Sequence, residues 1–448
     1  VSTGSGSVTF DKTSPTLSGV SIASSNTTNT LAKVGDDITL SMTANEDINQ
    51  PTVYFVCDSI TIEQSRITYA NSSGNTWTAA YNTSSSDSDG GGSAAVTYSI
   101  AFSDIAGNAG TTVSTGSGSV TFDKTAPEVT ISSTAISSGN TSNDDPLPLT
   151  FTVTEATADF LASNITTTNC TLNTLATSDN ITFTSDLDPA SNDLLCTVQV
   201  DAGIFTDAAG NPNVVSNKFE WTYDGIAPTM TISTSDVTLG EQSNASSISL
   251  TFTSDETTTD FVKDDIATTN GNITAFSGSG RTYTATFTPT DQGLCEIYVE
   301  AGTFTYGAGN ANAKSDIFSW TYDSTPPTIT GTTVVADNST IAVTFSEAVF
   351  NATGGSGTLE TSDFTLSISG GSATVAATPS SISSSGNVYT LGLSLDGTPD
   401  GSETLTVVPS SATAIYDAAD NAASTTQYNN TVSLYDKKPH TLIVVYIS

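Results

Sequence analysis

The chain runs to 448 residues and carries 46 acidic against 10 basic side chains, a formal net charge of −36. Such a balance repels phosphate backbones and anionic lipid, so nucleic acid and bare membrane are poor partners and cations are the natural counter-species. No run of about 20 apolar residues is present to cross a membrane as a helix.

An aromatic residue followed by Asp-x-x-x-Pro punctuates the chain. It appears at Phe10-Asp11 before Pro15, Phe122-Asp123 before Pro127, Tyr223-Asp224 before Pro228 and Tyr322-Asp323 before Pro327. A form one residue shorter stands at Tyr435-Asp436 before Pro439. The aspartates lie 112, 101, 99 and 113 residues apart, the size of one domain. Residues 1–15 recur as residues 113–127 with the single change of Ser14 to Ala126. The division that follows makes residues 1–10 the last strand of a preceding module. Modules occupy 11–122, 123–223, 224–322 and 323–435, and residues 436–448 start a further one. With both outer pieces incomplete, the chain is expected to be a segment of a longer polypeptide. The other option is ends that pair with neighbouring copies.

In the first module the run Ser84–Gly92, rich in Ser, Asp and Gly but without lysine, reads as a flexible hairpin tip and not as a phosphate loop. In the second, period-two alternation marks strands through Leu149/Phe151/Val153, Ile181/Phe183, Cys196/Val198/Val200 and Phe219/Trp221/Tyr223. The third repeats the scheme with Ile248/Leu250/Phe252, Tyr283/Ala285/Phe287, Cys295/Ile297/Val299 and Phe318/Trp320/Tyr322. Thr, Val, Ile and aromatics fill the strands, while Gly, Asn, Asp and Ser fill the turns. About seven short strands per 100 residues predict an all-β chain, an elongated tandem array of Ig-like β-sandwich domains. No stretch has a sustained helical period, and Thr257–Ala267 has room for one turn.

Asp207-Ala-Ala-Gly-Asn211, followed by Phe219-Glu-Trp221-Thr-Tyr223-Asp224-Gly-Ile-Ala-Pro228, resembles the bacterial Ig-like modules of large extracellular adhesin, sheath and filament proteins. Module one shares the likeness through Val34-Gly-Asp36-Asp37-Ile38 and Asp104-Ile-Ala-Gly-Asn108. Module four shares it through Phe345-Ser-Glu347-Ala-Val and Ile415-Tyr416-Asp417-Ala-Ala-Asp-Asn421. The resemblance covers nearly the whole chain. It implies the fold, an extracellular or cell-surface location and, as in many relatives, calcium near the junctions between modules.

Three acidic sets recur independently of that likeness. The boundary aspartates Asp123, Asp224 and Asp323 form one. The turns Asp104–Asn108, Asp207–Asn211 and Asp417–Asn421 form another, 19, 17 and 19 residues before the next boundary. Glu46 (with Asp47), Glu155, Glu256 (with Asp255) and Glu347 form the third, early in each module. Ca2+ takes about 6–8 oxygens, which carboxylates and carbonyls from two loops can supply. The alternative is that Asp-x-x-Gly-Asn is only a good turn, its aspartate accepting backbone N–H groups. The last strand runs the length of a module, so strand order decides which carboxylates meet. Module three has Tyr306 where the turn aspartate stands elsewhere, which weakens its site.

Cys170 and Cys196 take inward phases on different strands, the pattern of a buried disulfide; closing that loop would contribute about 3.5 kcal/mol. Two buried thiols are the alternative. Cys57 aligns with Cys170 and Cys295 with Cys196, each without a partner, and Gly271 stands opposite Cys295. Asn-x-Ser/Thr sequons include Asn26, Asn71, Asn82, Asn164, Asn180, Asn244, Asn272, Asn338 and Asn351, at close to the frequency chance provides. The single histidine, His440, lies in the tail and leaves no Ser-His-Asp or Cys-His arrangement in the modules. Asp264 and Asp265 are paired carboxylates in a repeated element, where a turn or metal role outweighs glycoside hydrolysis. Trp221 and Trp320 share the phase of core aromatics; Trp77 is the remaining candidate sugar platform.

The sequence therefore predicts a non-enzymatic extracellular structural protein, a segment of a stalk, sheath or filament that Ca2+ could stiffen. Its expected partners are other copies or neighbouring modules. An adhesive or carbohydrate-binding surface protein, contacting glycans through exposed loop aromatics, is the alternative.

Overall fold

The computed structural model describes residues 6–440, and the chain divides into two compact units, one ending at Gly225 and the other beginning at Ile226. Each unit holds two sandwiches, and each sandwich has its own hydrophobic core. Residues 1–5 and 441–448, parts of the incomplete outer modules expected from the sequence, lie outside the described residues.

In module one, the first sheet orders the strands Leu17–Ser24, Asp37–Ala44, Thr76–Asn82 and Thr68–Ser73. The second orders Leu31–Ala32, Val120–Phe122, Ala94–Ala101, Thr52–Cys57 and Ile60–Thr61. Pairing is antiparallel except that Leu31–Ala32 runs parallel to the last strand. The same parallel pairing joins Asn140–Ser142 to Phe219–Tyr223 in module two and Gln242–Ser243 to Phe318–Tyr322 in module three. The boundary aspartate makes the final ladder bond: the N–H groups of Asp123, Asp224 and Asp323 donate to the carbonyls of Ala32, Ser142 and Ser243. In module four a side chain replaces that strand. The Asn338 amide donates to the Tyr435 carbonyl at 2.7 Å and accepts its N–H at 3.0 Å.

Alternation sets the cores. Leu147, Leu149, Phe151 and Val153 are buried, while the residues between them face outward. Trp221 and Trp320 are fully buried, which assigns them to packing and not to sugar binding. Each module has one single-turn 3-10 helix in the equivalent position, at Gln64–Arg66, Ala162–Asn164, Lys263–Asp265 and Thr361–Asp363. The third falls inside Thr257–Ala267, and the Asp265 carboxylate caps it by accepting the Val262 N–H at 2.7 Å.

Two expectations need correction. Ser84–Gly92 is not a loose tip: Asp87 and Asp89 are buried, Asp87 is ion-paired with Arg66, and Asp89 accepts from the linker at Lys124 and Thr125. Ser, Asp and Gly encode a turn, but composition does not say what the turn packs against. The Cys170–Cys196 disulfide is not formed; all four cysteines are free thiols. Asn169, at φ 58°, turns the chain from one sheet to the other, so Cys170 opposes Pro189 while Cys196 pairs with Trp221. The Cys170 thiol instead reaches the Thr168 carbonyl at 3.2 Å, and the Cys196 thiol reaches the Asn169 carbonyl at 3.2 Å. Gly271 explains why module three lacks the first cysteine: a Cβ there would collide with the Phe287 ring.

Candidate metal centres at the module entrances

Three places gather three carboxylates whose oxygens lie within 4.8 Å of one another: Asp11/Glu46/Asp104, Asp123/Glu155/Asp207 and Asp323/Glu347/Asp417. Each trio is built from a boundary aspartate, the early glutamate and the turn aspartate. Strand order brings them together. The turn lies in the hairpin entering the last strand, back at the pole where the module began. It therefore meets the boundary aspartate that precedes its module and not the one that follows. Asp11, absent from the sequence-based candidates, belongs to the first trio. Its boundary motif, shared with Asp123 and Asp323, is the sequence signal for it.

The glutamates share one local origin. Glu46, Glu155 and Glu347 each lie two residues past a core strand, after Asp37–Ala44, Leu147–Val153 and Thr340–Phe345. The turn aspartates are held from behind. Asp207 accepts the Asn211 N–H at 2.8 Å on one oxygen and the Asn211 amide at 2.8 Å on the other. Asp104 with Asn108, and Asp417 with Asn421, repeat this arrangement. The same asparagine amides donate to the boundary carbonyls: Asn108 to Asp11 at 3.3 Å, Asn211 to Asp123 at 3.1 Å and Asn421 to Asp323 at 2.8 Å. Through their amide nitrogens the three asparagines, expected as ligands, tie the turn to the linker. The turn needs positive φ one residue before the asparagine: Gly210 sits at 90°, and in module four the non-glycine Asp420 takes 72°, a strained choice.

Burial, and then the charges of Asp207 and Asp123, push Glu155 up to about 7. Glu46 and Glu347 are raised for the same reasons, desolvation first and their two neighbouring aspartates next. Burial also raises Asp123, against the lowering effect of the Thr125 N–H. Among the described residues, the ion pairs all lie outside the three trios. Converging carboxylates with no protein cation fit a hard divalent ion, and the all-oxygen donor set suits Ca2+.

Module three differs. Tyr306 replaces the turn aspartate, and its hydroxyl accepts the Asn310 amide at 3.1 Å. Its second core strand, Ile248–Thr258, runs on through Glu256, which pairs with Arg281 at 3.1 Å. No acidic trio among the described residues includes Glu256. Asp224 keeps the ladder bond to the Ser142 carbonyl of module two, as the other boundary aspartates do with the modules before them.

The preceding module grips the second and fourth turns. Asn26 donates to the Ala209 carbonyl at 3.0 Å and Lys33 to the Gly210 carbonyl at 2.8 Å, while the Asn244 N–H donates to Ala419 at 3.0 Å. The sequon asparagines Asn26 and Asn338 therefore have amides committed to structure. Asn71, Asn82, Asn180, Asn244 and Asn272 are exposed, and Asn164 and Asn351 are half-buried.

Residues 123–223 and 224–322 each match the family model described as a bacterial Ig-like domain. No curated protein matches the chain. Among solved structures, the Escherichia coli adhesin FdeC is 11% identical, with 69% of this chain and 99% of that chain covered and a TM-score of 0.37. Invasin, a bacterial integrin-binding protein, is 15% identical over 94% of this chain and 79% of that one, with a TM-score of 0.30. Yersinia pseudotuberculosis InvD is 13% identical over 73% and 92%, with a TM-score of 0.29. Among the described residues no helix is long and apolar enough to cross a membrane. The two middle modules of this chain are bacterial Ig-like domains.

Proposed function

We propose that the chain is a structural part of an extracellular or cell-surface protein, with three of its four module entrances fastened by Ca2+. The observation that carries this reading is the recurrence of one carboxylate trio at residues 11/46/104, 123/155/207 and 323/347/417. In each, the aspartate belongs to the linker while the glutamate and the second aspartate belong to the module it enters. A bound divalent ion supplies the positive charge that turns their mutual repulsion into attraction. Asp123, Glu155 and Asp207 then hold the linker to module two from three sides, and Asn211 keeps the turn aimed at them. Neighbouring modules or further copies are the natural partners. Exposed aromatics such as Tyr54 and Tyr428 lie in different modules, which favours a structural over a sugar-binding role.

Calorimetric titration of Ca2+ into the chelator-treated chain tests the reading. Three sites are expected, with E155Q leaving two. Absence of binding, or a stoichiometry that E155Q does not change, overturns it.

A further inference from the structure

At the opposite pole of each module, one hairpin meets the linker that leaves it. In module one, Lys124 donates from its ammonium to the carbonyls of Ser85 and Asp87 at 3.1 and 2.6 Å. The Asp89 carboxylate accepts the Lys124 N–H at 3.2 Å and the Thr125 hydroxyl at 2.8 Å. In module four, the Lys438 ammonium pairs with Asp400 at 2.7 Å. The loop bearing Asp400 is braced by the buried Glu403, which accepts the N–H groups of Asp400, Gly401, Ser372 and Ala373. Modules two and three use uncharged groups at the same place. Asn192 accepts the Gly225 N–H at 2.7 Å, and Gln292 both accepts the Ser324 N–H at 2.9 Å and donates to its hydroxyl at 2.7 Å.

We propose that this hairpin is a recognition surface for the departing linker, with two exclusive chemistries: an acidic hairpin whose carbonyls or carboxylate take a lysine ammonium, and an amide hairpin for a small uncharged residue. The pairing fixes which linker can follow which module. A lysine beside Gln292 would find an amide oxygen where Lys438 has a carboxylate, and a serine at position 124 would leave the Ser85 and Asp87 carbonyls without the ammonium; both mismatches are costly. Lys12-Thr13 repeats Lys124-Thr125, so the neighbour that fits the Lys12 side of module one is a module with an acidic hairpin. Cation binding at the entrances plays no part in this.

The test uses the full chain in chelator, with amide hydrogen exchange read at residues 84–92 and 123–127 and at residues 290–293 and 323–326. K124S is expected to speed exchange at the first joint by at least about fivefold, and S324K to do the same at the second. The double variant Q292D/S324K restores slow exchange at that joint, and raising salt to about 1 M loosens the lysine joints but not the amide ones. If K124S and S324K exchange like the parent chain, or if Q292D fails to rescue S324K, the hairpins are packing surfaces without selectivity and the proposal falls.

Discussion

Modules two and three share the strand order of their second sheet, its parallel edge pairing, a buried tryptophan and the 3-10 turn, yet their entrances diverge. Module two presents Asp123, Glu155 and Asp207 within 4.8 Å. Module three presents Tyr306, whose hydroxyl takes over the role of a carboxylate oxygen in bonding the turn asparagine. It also leads Glu256 away along a longer strand to Arg281. The fold thus does not require the acidic cluster. Carboxylates kept close together against their own repulsion in one twin, and dispensed with in the other, point to a ligand and not to a structural need.

The comparison breaks if calcium stabilises both twins alike. At a free concentration of about 100 times Kd, binding adds about 2.7 kcal/mol to module two and nothing to module three, read as separate transitions in calorimetric melting. D207Y copies the module-three state into module two and is expected to abolish that gain while the sandwich still folds.

A second difference lies in the cores. Trp221 donates from its indole nitrogen to Ser142 at 2.9 Å, whereas the indole nitrogen of Trp320 is buried without a hydrogen-bond partner among the described residues. S142A is therefore expected to destabilise module two by about 1–3 kcal/mol, and S243A to cost module three less, by denaturant titration.

Proton binding sharpens the contrast in calcium-free protein. Glu155 titrates near 7 in the folded chain but near its ordinary 4.5 when unfolded. Between these values the folded state holds more protons. Its contribution is fully present below about pH 4.5 and is lost as pH rises through about 7. Melting of module two across that window should fall with pH, and E155Q should flatten the slope.

The smallest effect concerns thiols. Burial, and then the neighbouring Cys196, push Cys170 up to about 12, and burial likewise raises Cys295. Alkylation of the native chain at about pH 8 should leave both unlabelled, as checked by mass spectrometry; rapid labelling of Cys170 would contradict its packing.

Much of this was legible in the residues. Strict alternation such as Leu149/Phe151/Val153 located the core strands, because a half-buried strand admits few other patterns. The boundary motif located the linkers, because its aspartate closes the last ladder. Harder to read was anything set by pairing between distant segments. That Asp207 meets Asp123 and not Asp224 follows from strand order. That Asn211 ties the turn to the linker follows from which way its amide faces. The role of Asp89 depended on where Lys124 would lie, and the thiol pair on a reversal at Asn169 that no local pattern announces.

The most direct measurement is amide hydrogen exchange of the full chain with calcium and with excess chelator, read turn by turn. Calcium should protect residues 104–108, 207–211 and 417–421 and leave 306–310 unchanged. Equal protection of all four turns, or of none, would contradict calcium-fastened entrances.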